Sequence, residues 1–129
     1  MLDAAIEQMI QDGISIFYNG GKGSFDSMCK FSVIRLKKKY PYIRHYLVLP
    51  YLDFEGTDRN DFDGSIYPEL ESAPRKFAYS HRNRWMVKQS SQALCYINHQ
   101  WGGAFTTFRS AIHNGLKVIN LGNWPVDKI

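Results

Sequence analysis

Two glycine-rich segments of this 129-residue chain carry the residue types that receive an anion. The first, Gly20-Gly21-Lys22-Gly23-Ser24-Phe25-Asp26, follows a short β-branched and aromatic run and opens onto a helical pattern. Glycines there let backbone N–H groups approach a phosphate closely, and the beginning of a helix adds partial positive charge. Ser24 is placed to cap that helix, and Asp26 either holds a ribose hydroxyl or complements the helix dipole. The pattern is neither a Walker A sequence nor a strict G-x-G-x-x-G. A tight strand-to-helix turn with no ligand accounts for the same residues.

The second segment, Gly102-Gly103-Ala104-Phe105-Thr106-Thr107, repeats the arrangement after another strand-like run. Thr106 and Thr107 are the favoured phosphate contacts, and capping of the helix is the alternative role. Between the two lies Ser80-His81-Arg82-Asn83-Arg84, read as the cationic start of a helix. Cations at the positive end of a helix dipole cost stability, so Arg82 and Arg84 call for an external anion or for carboxylates elsewhere in the chain.

No positioned nucleophile with an adjacent base is present, so no catalytic residue is assigned. His45, His99 and His113 are scattered, and Glu69 and Glu71 are carboxylates without special context. Asp53, Glu55, Asp58, Asp61 and Asp63 cluster between residues 51 and 74, but not at EF-hand spacing, and solvated loop carboxylates are expected rather than a metal site. Cys29 and Cys95 have no C-x-x-C or Cys/His ligand spacing and read as buried thiols.

The elements that must hold these groups alternate. Apolar residues Leu2, Ile6, Met9 and Ile10 recur at helical spacing and Gly13 stops the helix. A strand is expected over 14–18. A second helix follows from Ser24, with Phe25, Met28, Cys29, Ser32, Val33 and Leu36 on one face and Tyr40-Pro41 as its end. The continuous apolar run 46–49 predicts a strand covered on both faces and ended by Pro50. Residues 51–74 read as a long loop with at most a helical turn, of the length that forms lids. A helix over 81–91, a strand over 93–98, a helix over 104–114 and a strand over 116–121 complete the order. Such alternation makes the strands parallel, with helices returning the chain on the sheet faces.

A hydrophobic fraction of 44% with 22% charged residues is the composition of one globular domain, not of a disordered chain. The net charge is +4, with one local run at Lys37, Lys38 and Lys39 that reads as a helix C-terminus. A small anionic ligand suits that balance, and nucleic acid is the less favoured partner. No signal peptide opens the chain and no apolar run reaches the length of a membrane span, so no membrane partner and a reducing, cytoplasmic setting are expected.

Several segments in order resemble the YpsA-like family of the SLOG superfamily. Phe17-Tyr18-Asn19-Gly20-Gly21-Lys22-Gly23-Ser24-Phe25-Asp26 is similar to its "F-Y-x-G-G-x-x-G-F-D" stretch, and Leu36-Lys37-Lys38-Lys39-Tyr40-Pro41 to "L-K-x-x-Y-P". Leu47-Val48-Leu49-Pro50-Tyr51 resembles "L-P-Y/F", Arg82-Asn83-Arg84-Trp85-Met86-Val87 resembles "R-N-x-x-M-V", and the second glycine turn resembles "G-G-T-x-x-T". The resemblance implies a three-layer α/β, Rossmann-like domain spanning residues 1–129, with a mainly parallel sheet. The resemblance also implies a relation to DprA and to the LOG phosphoribohydrolases.

Binding of a nucleotide-derived ligand such as ADP-ribose, NAD or AMP is therefore expected at the strand C-terminal edge. Pro50 and Asn83 join the glycine turns and arginines as expected contacts, in a sensing or regulatory module that forms a homo-oligomer in one reading. The alternatives are an N-glycosidic hydrolase of the LOG kind and a DNA-associated or protein-interaction module. LOG enzymes carry "P-G-G-x-G-T-x-x-E", whereas this chain has Trp101 before the glycines and Arg109 after the threonines. The family also opens with a strand bearing "T-G-H-R", while this sequence begins at the following helix, so a sheet without that strand is expected.

Overall fold

The computed structural model describes residues 1–69 and 74–126. Glu71 and part of the expected 51–74 loop lie outside the described residues. The fold is α/β with parallel strands throughout, arranged as a three-stranded and a two-stranded sheet. Contacts gather into two compact units, Met1–Glu69 and Leu70–Ile129, each considered by itself below. No described helix is long and apolar enough to cross a membrane.

In the first unit, helix α1 (Leu2–Gln11) buries Ile6, Met9 and Ile10, the face its spacing predicts. Strand β1 (Ile16–Asn19), helix α2 (Ser24–Lys37) and strand β2 (Arg44–Val48) form a βαβ unit in which Tyr18 lies opposite Tyr46 and Asn19 opposite Leu47. A parallel return needs a crossover of this kind, and α2 supplies it. Strand β2 is central and buried on both faces, with Leu47 and Val48 fully covered. Polar side chains fasten α1 to α2 and its C-terminal end. Arg35 grips both oxygens of Asp3 at 3.0 and 2.7 Å, and Lys39 and Tyr40 both donate to Glu7.

Three expectations for this unit change. The stretch after Pro50 is not only a loop: a 3₁₀ turn at Arg59–Asp61 leads into a third strand, β3 (Gly64–Ile66), parallel to β2. The expected apolar face of α2 is in part polar, because Lys30 and Ser32 are buried beside Val33 and Leu36 while Met28 is 56% exposed. Nor are the loop carboxylates merely solvated. Asp61 pairs with Lys30, Asp63 pairs with Lys37, and Asp58 caps the 3₁₀ turn by accepting from the Asn60 N–H.

The second unit holds helix α3 (Ala78–Gln89), strand β4 (Gln92–Cys95), helix α4 (Gly103–His113) and strand β5 (Lys117–Asn120). Strands β4 and β5 pair in parallel, Cys95 opposite Asn120. The core of this unit is Ile97, Phe105 and Phe108, packed by Cys95, Ile112, Val118 and Trp124. Burial pushes the Cys95 thiol up to about 12, which makes it a core group rather than a nucleophile. Neither cysteine is in a disulfide among the described residues, and both are half-buried rather than fully buried.

Gly122 is the tightest point of this unit, since a Cβ there would sit 2.4 Å from the Ile97 carbonyl oxygen, which is backbone and cannot step aside. Gly103, in contrast, has open space around its Cα and no left-handed φ. Gly122→Ala is therefore expected to lower unfolding free energy by about 2 kcal/mol or more, and Gly103→Ala to change it by less than about 1 kcal/mol. Urea denaturation of both variants checks the contrast.

Candidate functional site

The first glycine turn is shaped from within. Asn19 ends β1 with its side chain buried, and a buried amide must find partners for its donors and its acceptor. Its Oδ1 accepts from the Gly21 N–H at 2.7 Å and its Nδ2 donates to the Asp26 carbonyl at 2.9 Å. The Asp26 carboxylate in turn accepts from the Lys22 N–H at 3.0 Å. Two amides read from the sequence as open to an anion are thus satisfied by the turn's own side chains.

Gly21 is also wedged, with φ +69° and a Cβ position only 2.6 Å from a Leu47 methyl group and 2.8 Å from Thr57. Gly20 is buried beside it. Close packing against β2 and the following loop therefore needs Gly21 whether or not a ligand binds.

The helix itself begins one residue earlier than the capping expectation. Gly23, at φ 92° and ψ 170°, is the N-cap, and Ser24 is the first helical residue rather than a cap. That backbone region is open only to glycine at low cost. No side chain caps α2, and the Gly23 and Ser24 amides make no hydrogen bond among the described residues. These N–H groups carry the positive end of the α2 dipole.

A cavity of about 50 Å³ lies at this helix start, lined by Asn19, Gly21, Gly23, Asp26, Ser27 and Lys30 and closed by Gly56, Thr57 and Phe62 of the loop after β2. Lys30 is the residue that sequence reasoning missed. Its side chain is only 8% exposed, and its Nζ donates to Thr57 Oγ1 at 3.0 Å and pairs with Asp61 at 2.7 Å. A buried ammonium requires such partners, so the lysine fixes the Thr57–Asp61 segment against α2. Pro50, expected as a contact, is fully buried at the exit of β2.

Behind the loop, His45 of β2 is 4% exposed, rests on Phe62 with ring centroids 4.7 Å apart, and has an Nδ1 with no hydrogen-bond partner. Burial pushes its pKa from 6.5 down to about 4, Asp63 opposing and Lys37 and Lys30 assisting, so the ring is neutral. Asp63 anchors the same strand. It accepts from the His45 N–H at 2.8 Å, and Lys37 with that N–H keeps its carboxyl below the usual range despite burial.

In the second unit the other glycine turn has the same cap geometry, Gly102 at φ 91° and ψ 173° before α4, again with no side-chain cap. Thr106 and Thr107 do not cap. Their hydroxyls donate to the Gly102 and Gly103 carbonyls, both at 3.1 Å, from the second helical turn. The arginine cluster also lies elsewhere than expected. Helix α3 begins at Ala78 after a 3₁₀ turn at Arg75–Phe77, so Arg82, Asn83 and Arg84 lie past the first turn and the dipole argument no longer bears on them. Arg82 is 3% exposed, bonds to Asn83 Oδ1 at 2.8 Å and lies over the Tyr79 ring, while Arg84 faces solvent.

The two glycine turns belong to different compact units. Among the described residues no three His, Cys, Asp or Glu side chains gather to hold a metal ion.

The buried neutral His45 sets an acid response. The unfolded chain binds its proton near pH 6.5 and the folded chain only near pH 4, so this contribution is complete above 6.5 and is lost as pH falls towards 4. A loss of about 3 kcal/mol is expected across that window. Asp3, held near pKa 2 by Arg35 and Ser32, adds acid lability only below its ordinary value of 3.8. Urea midpoints of wild type and His45→Leu between pH 7 and 4 check this. The variant is expected to show a flatter profile.

No family model matches the chain, and no curated protein matches it in sequence.

Proposed function

We propose that this chain binds a nucleotide or nucleotide-derived ligand through its ribose-phosphate portion at the first glycine turn. One observation carries the reading: a small polar cavity at the start of α2 in which Gly23, whose amide makes no hydrogen bond among the described residues, shares walls with the buried Lys30 and with Asp26. Amides at a helix start and an ammonium favour phosphate. A carboxylate repels phosphate but accepts from sugar hydroxyls, so the mixture favours a sugar phosphate over a bare anion. The cavity is the size of one phosphate group or a pair of waters, and the rest of a larger ligand such as AMP, ADP-ribose or NAD would lie outside it.

The resemblance of the Phe17–Asp26 and Arg82–Val87 segments to YpsA-like SLOG proteins supports the same ligand class, and with it a sensing rather than a catalytic role. Hydrolysis has less support, because Asp26 is the one carboxylate among the residues lining the cavity and it already accepts from the Lys22 N–H. A reducing cytoplasm, where nucleotides are abundant and Cys29 and Cys95 remain thiols, is the setting we infer.

Calorimetry with AMP, ADP-ribose and NAD tests the proposal against adenosine as the unphosphorylated control. Tighter binding of at least one phosphorylated compound than of adenosine is expected, the difference reduced on the order of tenfold or more in Lys30→Gln. Absence of heat with every compound in folded protein contradicts the reading.

A further inference from the structure

The second unit displays an aromatic surface that its own packing does not use. Trp101 is 68% exposed, and its indole lies flat against the His99 ring, with centroids 3.9 Å apart and planes 15° from parallel. Neither ring belongs to the core, whose aromatic members are Phe105, Phe108 and Trp124. A large indole left in water forgoes most of its burial free energy, and such a group marks a contact surface more often than a core residue does.

This pair is not at the end of a loose loop. Asn120, at the end of β5, donates to the carbonyls of Ile97 and Trp124 at 3.0 and 2.7 Å and accepts from the Ile97 and Gly122 N–H groups at 2.7 and 3.0 Å. Asn98 continues the brace by accepting from the Asn123 N–H at 2.7 Å. The chain therefore leaves β4 on a stem fixed through residue 98, presents His99 and Trp101, and turns at Gly102 into α4. Stacking on a held aromatic loses little freedom, which is the condition for a useful platform.

We propose that Trp101, backed by His99, is a stacking platform for the planar heteroaromatic ring of a nucleotide-type ligand. Flat stacking at van der Waals distance suits a ring with two open faces, and the two residues already adopt that geometry with each other. An aliphatic partner gains no stacking from this face, whereas a nucleobase stacks on it with its full planar surface. Only the ligand's class rests on the function proposed above. The location rests on the exposed pair and its brace.

The test follows the Trp101 indole N–H signal, assigned with Trp101→Phe, in amide-detected NMR of the full chain titrated with AMP and with ribose 5-phosphate. A saturable shift with AMP and none with ribose 5-phosphate is expected. Trp101→Ala is expected to weaken AMP binding at this site on the order of tenfold, and Trp101→Phe less. If AMP moves the Gly23 and Ser24 amides while the Trp101 indole stays still, the platform is overturned and nucleotide binding survives. If AMP moves neither set in folded protein, both fall.

Discussion

A buried asparagine amide at the end of a strand is the constraint on which the candidate site depends. Asn19 cannot leave its donors and acceptor empty inside the protein, so the chain after β1 must curl until Gly21 and Asp26 meet them. That curl requires a left-handed glycine, brings Gly21 against Leu47, and delivers the chain into α2 through a second left-handed glycine. The free amides at the start of α2 are a consequence of this turn. Asn120 repeats the principle at the end of β5, where its side chain bonds Gly122 two residues on and ties the exit of β4 to the exit of β5.

Charge pairing then positions what faces the turn. Lys30 rises from α2 into a covered position and is held by Thr57 and Asp61, so the segment after β2 is fastened across the cavity. Lys37 fastens Asp63 a little further along the helix, and the backbone bond from His45 to Asp63 carries this tether into the sheet. The neutral His45 ring between these cations fits because it carries no charge of its own. The acidic loop is thus bound by the helix that follows the glycine turn, and fold and site share the same ion pairs.

The alternation of helices and strands and the parallel fold were legible because amphipathic spacing and glycine turns are local signals. Strand β3 was not legible. Its three residues have no period to detect, and they become a strand only because β2 offers an edge to pair with. Lys30 was hidden for a related reason. A lysine on a helix reads as solvent-facing, and the partners that permit its burial stand 27 and 31 residues away.

The start of α3 was displaced because no capping residue marks it. Phe77 occupies the N-cap after a 3₁₀ turn, and the cationic run at Arg82 and Arg84 that resembles a helix start lies inside the helix. The exposure of Trp101 was likewise invisible, since an aromatic next to a glycine turn reads equally well as core.

The start of α2 and the Lys30 ammonium are proposed to receive a sugar phosphate together. Titration of isotope-labelled protein with ribose 5-phosphate, which has no base to stack elsewhere, tests it most directly. Binding there is expected to move the Gly23, Ser24 and Thr57 amide signals saturably, and Lys30→Gln to abolish that movement. Static signals at those amides in a folded sample at millimolar ligand, or equal movement in the variant, would contradict it.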